Sequence, residues 1–332
     1  MSTIDRRRFI QGGVATAAGV ALAGPFAGLV SRAAGVSAAA PFTYGPLIPV
    51  ADKRDGVVRL DLPDGFEYRT FNVTGQPAAG LAALPGRPDG MAAFPGPRAN
   101  LYTLVRNHEI QSNARTLFGD PATAYDTKVG GGCTTVVVDR HGKVDDGWVS
   151  LNGTEFNCAG GPMPWGSWLS CEETINGPDV GSDFLGSPNG VLEEKHGYVF
   201  DVPAGGTSDG VPIRKAGRFA HEAAACDPAT GAVYLTEDNF GFPSGFYRYT
   251  APQNPMTARK LVDGGDLEML AVVGTPNADL TVALGNGTSF ATTWVTIDDP
   301  DPTFAPGTTN DQAIQATRSL RIRTPSSLGR PQ

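Results

Sequence analysis

Apolar residues along this chain gather in short runs, without the three-and-four spacing of long amphipathic helices. Runs rich in β-branched and aromatic residues fall at 101–105, 134–139, 148–151, 168–171, 198–202, 233–236, 246–249 and 294–297. Gly, Pro, Asn or Asp bound many of them. Asp139-Arg140-His141-Gly142 and Asp227-Pro228-Ala229-Thr230-Gly231 read as turns between neighbouring strands. The pattern predicts an all-β domain. A sandwich of about 100 residues would leave most of the chain unexplained. Blades of roughly 40–50 residues would number about six, so the expectation is a six-bladed β-propeller over residues 40–307. From Thr308 the strand pattern stops, and 308–332 reads as an irregular tail: a disordered terminus, or a blade left incomplete at the C-terminal end.

The N-terminus follows another logic. Arg6-Arg7-Arg8-Phe9-Ile10 is a twin-arginine pattern, followed by a weakly apolar Gly/Ala stretch and the small residues Ser37-Ala38-Ala39-Ala40. A membrane anchor is excluded by the scarcity of large apolar residues and by Pro25. Residues 1–39 are therefore expected to be an export signal cut after Ala39. It would take a folded protein through the twin-arginine machinery to the periplasm or beyond, with no stable membrane insertion afterwards.

Removing that segment, of net charge +3 from Arg6, Arg7, Arg8 and Arg32 against Asp5, from a chain of formal charge −8 leaves −11. So acidic a surface argues against nucleic acid and anionic lipid as partners and suits multivalent cations. The four cysteines, Cys133, Cys158, Cys171 and Cys226, contain no Cys-x-x-Cys pair and make no disulfide scaffold.

Chemistry concentrates between residues 150 and 174. Cys158 precedes Ala159-Gly160-Gly161-Pro162, which fits a tight turn better than a strand interior. A thiol there is either a soft metal ligand or a small buried hydrophobe. Glu172-Glu173 closes an apolar strand, and adjacent carboxylates on a strand point to opposite faces, so at most one faces a given pocket. His221-Glu222 lies inside an apolar run, where burial without a partner is expensive. Asn107-His108-Glu109 and Glu237-Asp238-Asn239 repeat the arrangement at other strand ends. Together these carboxylates could hold hard cations such as calcium or iron. The acidic cluster Asp298-Asp299-Pro300-Asp301 reads as a solvated loop, and Cys133 and Cys226 as packing residues.

These motifs carry a family resemblance. Asn157-Cys158-Ala159-Gly160-Gly161-Pro162 with Pro164-Trp165-Gly166 and Cys171-Glu172-Glu173 resembles the signature of PhoX-type alkaline phosphatases. Gly217-Arg218-Phe219-Ala220-His221-Glu222, Tyr234-Leu235-Thr236-Glu237-Asp238, Asn107-His108-Glu109 and Tyr44-Gly45-Pro46-Leu47 fit the same family. The resemblance implies a twin-arginine-exported six-bladed propeller with iron and calcium on its axis, hydrolysing small phosphate monoesters. Under it Cys158 is the thiolate on iron, with Glu172 or Glu173 and Glu222 as carboxylate ligands. Glu109, Glu237 and Asp238 are further expected metal ligands, His108 lies near the pocket, and Cys158, Glu222 and Asn107 are the expected catalytic residues. The chain departs from the family at Arg330-Pro331-Gln332, where Gln stands at the place of a ligand Glu. A non-catalytic calcium-binding propeller and a calcium-dependent esterase or lactonase are the alternative functions.

Overall fold

The structure, a computed structural model, describes residues 44–111, 116–239, 241–275, 278–280, 285 and 287–319. The export segment and the final Arg330-Pro331-Gln332 lie outside the described residues. The fold is all-β: fourteen strands in four antiparallel sheets among the described residues, with few helices. The chain divides after Tyr68 into two compact units. The first holds a hairpin of β1 (Leu47–Ala51) and β2 (Val58–Pro63), with Arg59 paired to Asp52 at 3.0 Å and to Asp55 at 2.7 Å beside the connecting turn.

The second unit contains three propeller-like sheets. One is formed by β3 (Pro88–Pro95), β4 (Leu101–His108), β5 (Gly131–Asp139) and β6 (Val144–Thr154) in sequential order. The next is formed by β7 (Asn157–Pro162), β8 (Ser167–Glu172) and β9 (Val199–Pro203). The last is formed by β10 (His221–Cys226), β11 (Val233–Glu237), β12 (Phe246–Thr250), β13 (Asp266–Val272) and β14 (Thr292–Thr296). Each is a meander with strands in sequence order, although the β4–β5, β8–β9 and β13–β14 connections (109–130, 173–198 and 273–291) are long.

All eight runs chosen for their β-branched and aromatic content lie on strands or overlap them. Strands β1, β2, β3, β7, β10 and β13 escape that selection; Pro, Gly and Ala dominate β3 and β7 and make up half of β10. Cys158 therefore lies in a strand rather than a free turn, although that strand is broken where the turn was expected.

The β7–β9 sheet is the middle layer, with β3 and β10 both packed on β7. Period-two alternation explains the two cores. Val233, Leu235, Tyr247 and Tyr249 point inward onto Leu169, Cys171 and Val199. Val105, Cys133 and Leu151 meet Trp168, Tyr198 and Phe200 from the other side. Each fully buried Val or Leu in these layers contributes about 1.5–3 kcal/mol.

The described part of the tail is more ordered than its sequence predicts. After a four-residue helix α1 (Pro255–Ala258), a second helix α2 spans Asn310–Ser319 and packs Ala313 and Ile314 on Ile175 and Val180. Short strand propensity hid a single amphipathic stripe that becomes buried only when the 175–180 loop is in place. Arg218 organises the same region. Fully buried, it pairs with both oxygens of Asp179, at 2.7 and 2.8 Å, and donates to the carbonyls of Ile175, Asn176, His196 and Pro302. Such a bidentate pair with every donor used makes Arg218 a fixed post of the fold.

Candidate metal centre

The innermost strand of each of the three sheets breaks register near its start. In β3 the shift lies between Pro88 and Met91, in β7 between Asn157 and Gly160, and in β10 between His221 and Ala224. A bulge removes residues from the ladder and re-aims their side chains. The residues released are Asp89-Gly90, Cys158-Ala159 and Glu222-Ala223. In β7 the break is helped by Gly160, whose φ of 154° few side chains tolerate.

Two of these bulges and the end of β8 bring three ligand-type groups together. Single donor atoms of Cys158, Glu173 and Glu222 all lie within 4.8 Å of one another. The Cys158 thiol stands 3.6 Å from Glu222 Oε2 and 3.8 Å from Oε1. Glu173 follows β8 immediately. Its N–H donates to the Phe156 carbonyl at 2.9 Å and its backbone bridges to Ala220, so it is fastened at the mouths of both β7 and β10. Phe156 takes a φ of 51°, a left-handed conformation costly for an aromatic residue, and is held there by its burial.

The electrostatics of this group are those of clustered anions. Cys158 is 9 % exposed, and its thiol is pushed far up by burial and then by the charges of Glu173, Glu222 and Asp89. Glu173 is 7 % exposed and is raised to about 7, first by burial and then by Glu222, with Asp238 and Glu109 adding to the rise. Its Oε1 is buried and has no hydrogen-bond partner among the described residues. An orphaned buried carboxylate oxygen costs stability unless something positive meets it. A soft sulfur beside carboxylate oxygens, tightly grouped, fits a metal cation.

The other expected residues take separate places. Glu172 turns to the opposite side of the chain from Glu173 and is fully engaged. Its Oε1 accepts from Glu155 N–H at 2.9 Å and meets His196 Nδ1 at 2.7 Å, while Oε2 accepts from the N–H groups of Gly197 and Tyr198. Asn107 lies beneath Cys158. Its Nδ2 donates to the Cys158 and Ala159 carbonyls at 3.1 and 2.7 Å, and its Oδ1 accepts from Cys133, Trp168 and Ser170. With every group occupied, Asn107 is placed to hold the bulge, not to reach a substrate.

His108 faces away from Asn107 along β4. Nδ1 donates to the Gly86 carbonyl and Nε2 accepts from the Thr134 hydroxyl, which in turn accepts from Arg106. Burial pushes this imidazole down to about 4, consistent with that neutral tautomer. Glu109 pairs with Arg87 at 3.1 Å, and its charge reaches Glu173, as does that of Asp238. Glu237 accepts from the Gly245 N–H and the Tyr247 hydroxyl, at 2.9 and 2.7 Å.

Asp89, whose charge reaches Cys158, and Arg87, paired with Glu109, were not singled out by the sequence. Pro88 and Gly90 disguise a strand start as a loop, and only the repetition of a short polar residue before Gly or Ala could have signalled Asp89.

Fold and group together define an all-β protein of propeller-like sheets in which a thiol and carboxylates from different sheets converge. The family model for alkaline phosphatase PhoX matches residues 42–148 and 141–325, and the chain belongs to that family. Neither the curated proteins nor the solved structures gave a match. The family is one of alkaline phosphatases, which places small phosphate esters as the substrate class. No helix among the described residues is long and apolar enough to cross a membrane.

Proposed function

We propose that this chain is an exported, metal-dependent phosphomonoester hydrolase whose iron and calcium are held by Cys158, Glu173 and Glu222. The reading is supported above all by the convergence of those three donor groups within 4.8 Å. Family membership supports the reaction class, and the twin-arginine pattern of residues 6–10 supports export. When bound, the cations supply neutralisation of the phosphate charge and Lewis-acid activation.

The protein's own residues do the positioning. Asn107 fixes the backbone at Cys158, so the sulfur is presented without a rotational search of the bulge. The Cys158 thiol is neutral in this environment and gives up its Sγ proton on ligation, which makes cation uptake proton-coupled. Arg87, with a side chain 43 % exposed and anchored on Glu109, keeps N–H donors available for phosphate oxygens.

The test is release of phosphate from an aryl phosphate by metal-loaded protein, with iron and calcium measured in the same preparation. Cys158→Ala is expected to lose iron and turnover together. Loaded wild-type protein without turnover, yet stabilised by calcium, would overturn the hydrolase in favour of the non-catalytic reading. Metal content unchanged in Cys158→Ala would overturn the ligand assignment.

A further inference from the structure

The bulge at Asp89 matches those that present Cys158 and Glu222, and nothing above gives it a task. The strands that carry the three bulges also approach one another closely through their backbones. A Cβ on Gly90 would stand 2.8 Å from the Ala159 Cα and 2.9 Å from the Cys158 carbonyl oxygen, so β3 rests on the Cys158 bulge with no room between them. One layer further, a Cβ on Gly161 would overlap the Ala224 carbonyl, which fastens β7 against the Glu222 bulge in the same manner. Glycine is needed at both points because only a bare backbone allows the approach.

We infer that Asp89 is a further cation-binding position of the Cys158 group, and that the three innermost strands deliver their ligands by one repeated device. Asp89, Cys158 and Glu222 each occupy the first released residue of a bulge, each followed by Gly or Ala. The strands bearing them pack on one another through close glycine contacts, so the three bulges occupy equivalent positions in neighbouring sheets. The buried Oε1 of Glu173, without a hydrogen-bond partner among the described residues, gives the group an acceptor that the chain itself does not meet. Asp89 would offer a hard oxygen from β3, as Glu222 offers one from β10, with Cys158 on the strand that both pack against. Its ligand is a multivalent metal cation, and the mixed sulfur and oxygen set favours ions that accept both.

This inference rests on the cation reading of the Cys158 group, and the test separates the two. Full-length protein, freed of metal by chelation, is titrated with cobalt(II) alone while thiolate-to-cobalt charge transfer and binding heat are followed. Wild type is expected to show the charge-transfer band, and Cys158→Ala to lose it. Asp89→Asn, nearly isosteric, is expected to keep the band but bind cobalt about 10–100-fold more weakly. Gly90→Ala, which pushes on the Cys158 carbonyl, is expected to weaken binding as well. Asp61→Asn, at an exposed position on β2, is expected to leave it unchanged. No band in wild type would sink the cation reading itself. A band with wild-type affinity in Asp89→Asn would sink the Asp89 inference alone. Circular dichroism shows that each variant is folded before titration, and Asp89→Asn decides the outcome if Gly90→Ala does not fold.

Discussion

Glu172 and Glu173 are neighbours in the chain, yet they belong to two buried acidic groups with opposite electrostatics. Around Glu172 the protein supplies its own cation. Burial alone would depress the His196 imidazole, but the Glu172 charge and hydrogen bonds to Asp126 and Glu172 override it and raise the ring to about 10. His196 thus sits as an imidazolium between Glu172 at 2.7 Å and Asp126 at 3.4 Å, and backbone N–H groups take the remaining Glu172 oxygen. Around Glu173 a thiol and a second carboxylate crowd in, and one oxygen meets no donor. The difference teaches how to tell a structural carboxylate from a ligand position. Both are buried and both lie near acids, but only the first has its charge met from within the chain.

The largest expected effect tests the satisfied side. His196→Ala leaves Glu172 and Asp126 buried with no cation and is expected to cost about 3–5 kcal/mol in denaturant unfolding. A loss well under 1 kcal/mol would show that the two groups are not so different.

Glu173→Gln should act in the other direction. It removes a carboxylate held near neutrality by burial and like charge. Metal-free protein is therefore expected to gain about 1–3 kcal/mol at pH 8, where wild type ionises the residue against its surroundings. The same variant should bind cobalt(II) more weakly, so stability and metal affinity move oppositely. If Glu173→Gln destabilises the metal-free protein instead, the oxygen is satisfied and the comparison fails.

The finest test is pH. Glu173 is raised from 4.5 to about 7, so the folded state holds more protons than the unfolded one across that interval, and stability falls as pH rises through it. His196 is raised from 6.5 to about 10, so its contribution is complete below 6.5 and disappears as pH climbs to about 10. Metal-free wild type is expected to lose stability in both windows. Glu173→Gln should erase the lower and His196→Ala the upper. On the acid side, burial would raise Asp126, but the His196 hydrogen bond prevails and holds it at about 2. Its contribution is present above 3.8 and is lost as pH falls toward 2. Unfolding curves collected from pH 2 to 10 on the three proteins would show each window directly.

How much of this was readable in advance varied with the residue. The strands at 233–236 and 246–249 were legible because alternating inward Val, Leu and Tyr reflect burial on one face. Strands β3 and β7 were not, because their Pro and Gly residues serve the bulges and close contacts instead of the pleat. Cys158, Glu173 and Glu222 could be named as candidates from residue type and family resemblance. Asn107 was named too, but its role as a brace beneath Cys158 is visible only in its hydrogen bonds. Asp89 was missed because its signal is a match between three distant strands.

By itself the sequence determined an all-β protein of short strands, an acidic balance and membership of a phosphatase family, since periodicity, charge and motif are local or additive properties. Only the tertiary structure decided which of two adjacent glutamates faces the thiol, and which bulges stack into one group. Those outcomes depend on register shifts of single residues, where one extra residue in a strand turns a side chain from one face to the other. No local pattern encodes that choice, because it is set by the backbone packed on the other side.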